Sequence, residues 1–143
     1  MRQGAQTPGR AGQALTEFAI AITVFLMLLM GVADFGMAIY KYNSVSEAAR
    51  AIARVASVHP GANPTTQSGW SPQLAAAVAT QQSLVPGLQT PTVTCVSITG
   101  ASASCTSTNY VQVTVMAPYT PVTPLLGLVG TWTMTGSSSD QIQ

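Results

Sequence analysis

GQALTEFAIAITVFLMLLMGVADFGMAIYKYNSVSEAARAIARVAS, residues 12–57, decides the fold. From Phe18 it runs without a charge to Asp34, then continues through Phe35-Gly36-Met37-Ala38-Ile39-Tyr40 before Lys41. Strong helix formers dominate the run. At about 1.5 Å per residue, Phe18 to Tyr40 covers roughly 34 Å, enough to cross a hydrocarbon core of about 30 Å. Beyond it the pattern changes. Val45, Ala48, Ala49, Ile52, Val55 and Ala56 recur at three- and four-residue spacing, while Glu47, Arg50 and Arg54 share the opposite face. One helix from about Gln13 to Val58 is expected, bilayer-embedded first and amphipathic afterwards. His59-Pro60-Gly61 ends it, because proline disfavours α conformation in the preceding residue and glycine breaks the run. Glu47 and Arg50 read as an i,i+3 pair on a solvated face.

On the N-terminal side, residues 1–12 are polar and glycine-rich, with Arg2, Pro8 and Arg10, and read as a leader or disordered tail. On the C-terminal side, residues 59–143 are expected to form one small head. Ser71-Pro72 reads as an N-cap with proline at the first helical position, opening PQLAAAVATQQSL, which Pro86-Gly87 closes. Thr92–Thr99 and Tyr110–Met116 are β-branched and alternating, and read as a strand hairpin. Residues 117–130 carry three prolines and are not expected in a central strand, whereas Thr131–Thr135 reads as a last strand before a polar tail. Trp132 is expected in the core. The class is α+β: a long N-terminal helix, then a short helix and an antiparallel sheet.

Composition bounds function. The chain has 143 residues, 47% hydrophobic but 6% charged, against roughly 25% charged in typical soluble domains. From Val55 through Ser139 there is no Asp, Glu, Lys or Arg. A net charge of +1 supplies no basic surface, so nucleic acid is not an expected partner. The head offers one His, two Cys and many hydroxyls, too few groups for a catalytic triad or a metal set, so neither an enzyme nor a cofactor is expected. Cys95 and Cys105 suit a small disulfide loop in an oxidising compartment, with two inert thiols as the alternative.

The chemistry concentrates at Gly12-Gln13-Ala14-Leu15-Thr16-Glu17-Phe18, where a glycine after a basic leader precedes, five residues on, the one acid before the apolar run. This resembles a type IV prepilin cleavage site. The longer stretch from Gly12 to Ser57 resembles the N-terminal half of TadE-like proteins, the pseudopilin relatives of the tight-adherence pilus system. The resemblance implies cleavage after Gly12 by a prepilin peptidase, with Gln13 as the new N-terminus. It also implies partnership with other pilin-like subunits and with membrane lipid. In such assemblies the freed α-amino group, here that of Gln13 on a neighbouring chain, pairs the acid at Glu17 beside Phe18. From the residues alone, a carboxylate entering hydrocarbon is costly unless paired, and no Lys or Arg stands three or four positions away. Asp34 is a second acid in the run; Asp34-Phe35-Gly36 matches a sequence common at this place in TadE-like chains. Either it pairs within an assembly or it lies at the outer interface, reached by water and head groups.

Arg2 and Arg10 precede the helix while Lys41, Arg50 and Arg54 follow it, so the positive-inside count leaves orientation open. The cleavage motif and the cysteines place the head outside a bacterial cytoplasmic membrane, with incorporation into an extracellular pilus as a further fate. Two alternatives stand. One is a secreted protein cut after Gly31-Val32-Ala33, which Glu17 and the unbroken helix disfavour. The other is a simply anchored adhesion module that uses Trp70 or Trp132.

Overall fold

A computed structural model describes residues 9–123 and 130–143, with side chains from Gly12 onward. The apolar and amphipathic runs form a single helix, α1, Gly9–Val58. It begins before the expected Gln13: residues 9–12 continue the helix, and the rest of the expected leader lies outside the described residues. The stop falls where proline and glycine require it, with Gly61 at φ +86°.

α2, Pro72–Leu84, starts as its sequence dictates: the Ser71 side chain accepts from the Leu74 amide at 3.1 Å and Pro72 occupies the first turn. The same hydroxyl donates to the His59 carbonyl at 2.6 Å, so one serine joins the end of α1 to the start of α2. Three strands follow: β1 Thr92–Val96, β2 Tyr110–Tyr119 and β3 Trp132–Gln141. They form one antiparallel sheet in the order β1-β2-β3. The register runs from Thr92↔Thr114 to Val96↔Tyr110 and from Tyr110↔Gln141 to Tyr119↔Trp132.

The core lies between α1, α2 and the sheet. Val45, Ala48, Ala49, Ile52 and Ala56 meet Leu74, Val78, Val93, Val111, Val113 and Val115. The helix positions are those the spacing marks, with Val55 partly buried at the margin. Alternation in β2 buries Val111, Val113, Val115, Ala117 and Tyr119.

Two expectations about the strands need correction. Ala117–Tyr119 does belong to the central strand, Pro118 included. By that point β1 has ended, its last partner being Thr114, so the amide that proline lacks has no strand to serve; Gly87 passes beside the ring instead. And β3 runs on through Gly-Ser-Ser-Ser to Gln141 where a polar tail was expected. Its glycine is a packing requirement. A Cβ on Gly136 would stand 2.9 Å from the Val45 carbonyl carbon and oxygen, so only glycine lets β3 approach α1 this closely.

Candidate functional site

β3 lies alongside α1 with the same sense. Trp132 is beside Gly31 and Ala38, Gly136 meets Val45, and the Gln143 amide donates to the Ser57 carbonyl at 3.1 Å. The head therefore covers α1 from about Asp34 to its end. The part before Asp34 is bare: Leu15, Phe18, Ile20, Val24, Phe25, Leu28 and Val32 are all exposed.

Within the bare part the polar groups are few. Thr23 returns its hydroxyl to the Ala19 carbonyl at 2.7 Å, and Thr16 to the Gln13 carbonyl at 2.8 Å. Such back-bonding satisfies a hydroxyl inside the helix itself, as an apolar solvent demands. Glu17 has no equivalent. It is exposed, adjacent to Phe18, and makes no ion pair or side-chain hydrogen bond among the described residues. Gly12 and Gln13 lie on the same helix, one turn before it, both exposed.

Asp34 is the opposite case. Instead of lying open to water and head groups, it is 2% exposed and held by its own head. The Val122 amide donates to Oδ1 at 3.0 Å, and the Thr123 amide to Oδ2 at 3.0 Å. The Thr123 hydroxyl also donates to Oδ2, and the Tyr119 hydroxyl donates to the Asp34 main-chain carbonyl at 2.8 Å. Burial, with the neighbouring Asp34 carboxylate, pushes the Tyr119 phenol above its ordinary pKa, so it remains a donor. This clasp, supplied by the turn after β2, fastens the head to α1 where the uncharged run ends. A small apolar cavity of about 170 Å³ opens beside it, lined by Gly31, Phe35, Ala38, Tyr119, Pro121 and Trp132.

Glu17 and Asp34 are not brought together; about 25 Å of helix separates them at 1.5 Å per residue. Sequence reading singled out both acids but missed Tyr119, Val122 and Thr123 as the partners of Asp34. The available signal was the donor-rich turn Tyr-Thr-Pro-Val-Thr in a head without cations, since an acid at the edge of an apolar run has to find donors somewhere.

At the far side of the sheet, Cys95 and Cys105 are joined in a disulfide, with Cα atoms 5.3 Å apart. The connection it closes folds back on β1, with Ala103 donating to the Cys95 carbonyl and Ser97 to that of Ala101. Trp70 donates its indole N–H to the Pro64 carbonyl at 2.8 Å and packs against the core. Trp132, expected in the core, is 40% exposed at the clasp end, because it is the first residue of β3, paired with the last residue of β2 at the end of the sheet.

A long helix, bare and apolar in its first part and covered by an α+β head in its second, fits a pilin-like, membrane-anchored protein. A family model described as "TadE-like protein" matches residues 12–54. That match begins at Gly12 and stops short of the head, so it bears out the resemblance over the N-terminal helix. No curated protein and no solved structure matches the chain.

Proposed function

We propose that the protein is a minor subunit or assembly factor of a tight-adherence, type IV-related pilus. It is made as a precursor in the cytoplasmic membrane with its head outside, and a prepilin peptidase cuts it between Gly12 and Gln13. In this reading the chain is substrate and building block rather than catalyst. The observation that carries it is Glu17: one carboxylate, without a partner among the described residues, on the part of α1 before Asp34 that is otherwise bare and apolar. A carboxylate in hydrocarbon is costly unless a cation meets it. Cleavage after Gly12 creates such a cation, because a free α-amino group has a pKa of about 8 and is largely protonated at neutral pH. Supplied by a neighbouring subunit, it would fix the stagger of one helix on the next. The match to the TadE-like model, starting at Gly12, supports the same reading.

The test compares the N-terminus and the fractionation of the protein with and without an active prepilin peptidase. A mature chain beginning at Gln13 only when the peptidase is active, recovered with membranes or sheared filaments, is expected. A Glu17→Ala chain is expected to stay in the membrane but drop out of filaments. A soluble chain beginning at Asp34 would instead mean secretion, and an uncut chain in the presence of active peptidase would leave only an anchor.

A further inference from the structure

The head has two poles along α1. Trp70 and the end of α1 mark one; the clasp on Asp34, with Val122 and Trp132, marks the other. The clasp pole carries exposed apolar side chains: Val122 is 75% exposed, Phe35 67% and Trp132 40%. No cation or free acid lies among them. Lys41 donates its ammonium to the Pro86 carbonyl, and the carboxylate of Asp34 is enclosed.

The position of this pole is fixed by the helix. Leu15 through Ala33, the bare uncharged run apart from Glu17, covers about 28 Å at 1.5 Å per residue, close to a hydrocarbon thickness of about 30 Å. A polar head clasped at Asp34 cannot be drawn into hydrocarbon, so the bilayer boundary falls at Asp34 and not at Tyr40. At that boundary the head presents valine, phenylalanine and tryptophan. Tryptophan in particular favours this zone, with an apolar body and one N–H for the wet side. Enclosing Asp34 removes the one charge that such a contact would leave bare.

We propose that this pole, formed by Trp132 of the head beside Phe35 of α1 and by Val122 beside Met30 and Met37, rests on the lipid interface of the bilayer that α1 crosses. The surface is continuous with the apolar face of α1 and makes the head a second, shallow membrane contact. The head is thereby held upright on the membrane before assembly. The proposal rests on α1 spanning the bilayer.

The two tryptophans mark the two poles and make the proposal measurable. Full-length protein carrying Trp70→Phe, and separately Trp132→Phe, is reconstituted into phosphatidylcholine vesicles brominated either near the headgroup or near the chain end. Trp132 is expected to be quenched by the shallow bromines about twofold or more beyond Trp70, and weakly by the deep ones. A third chain, Phe25→Trp with both native tryptophans replaced by Phe, reports on the span itself and is expected to respond to the deep bromines. Quenching at Phe25→Trp with none at Trp132 overturns lipid contact alone. If Trp132 is also shielded from acrylamide in that case, a second copy covers the pole instead of lipid. No quenching at Phe25→Trp overturns the span, and the proposal with it. Far-UV circular dichroism and retention of the disulfide show that each chain is folded.

Discussion

Asp34 shows how one side chain joins the two halves of the molecule. Both carboxylate oxygens accept amides from consecutive residues of one turn, with a hydroxyl added by Thr123. Replacing it leaves two amides and a hydroxyl without acceptors in a place shielded from water, and an unmade hydrogen bond costs more than a made one gains. Asp34→Ala is therefore expected to raise hydrogen exchange at the Val122 and Thr123 amides by about tenfold or more. Amides of Val111 and Val113, deep in the sheet, should change far less. Asp34→Asn, which keeps one oxygen acceptor, should fall between. Unchanged exchange at Val122 and Thr123 would show that the clasp is not what holds that turn. The sequence made Asp34 conspicuous as an acid in an apolar run, but its partners lie some ninety positions later. No local rule links them; only the pairing of β2 with β3 brings that turn back to the helix.

At the scale of elements, what was legible is what local chemistry controls. The end of α1 at His59-Pro60-Gly61, the start of α2 at Ser71-Pro72 and the alternation of Val111, Val113 and Val115 each follow from a conformational preference of the residues concerned. What was not legible depends on neighbours. Pro118 is tolerated in a central strand because the next strand has already ended. Gly136 lies in a strand where α1 leaves room for nothing larger, although glycine and the serines that follow it have little intrinsic preference for sheet. Ser71 is both local and tertiary, since its hydroxyl accepts from Leu74 and donates to His59. An N-cap replaced by alanine typically costs about 1 kcal/mol. Ser71→Ala is expected to cost roughly 1–2 kcal/mol in urea unfolding of the full chain in detergent, with the upper part of that range reflecting the lost tie to α1. Ser71→Asp, which keeps the cap acceptor but has no proton for His59, should recover the cap share alone. If both variants unfold like the parent, the serine holds neither helix.

For the molecule as a whole, the division of charge along the chain was the feature most open to reading. A helix carrying most of the charged side chains leads to a head with no Asp, Glu, Lys or Arg from Val55 through Ser139, and the structure shows how such a head holds together. Its core is aliphatic, and its contact with the helix acid is made by amides and hydroxyls. The one ion pair among the described residues is Glu47 to Arg50 at 3.6 Å, with both side chains largely exposed. Exposed pairs of this kind contribute about 0–1 kcal/mol, and salt screens them further. Hydrogen bonds enclosed with their acceptor, as at Asp34, are screened much less. It follows that unfolding of the head in detergent should be nearly independent of ionic strength, shifting by less than about 1 kcal/mol between roughly 0.05 and 0.5 M NaCl. Urea is the denaturant for this measurement, because guanidinium is itself a salt. A neutral detergent keeps the micelle from responding to salt through its own charge. A stability that fell steeply with added salt would mean that charge pairs beyond Glu47–Arg50 hold the head on the helix. A flat response is what a head packed by apolar contact and short-range hydrogen bonds requires, and it suits the proposed role, in which the head would lie against lipid or other subunits without like-charge repulsion.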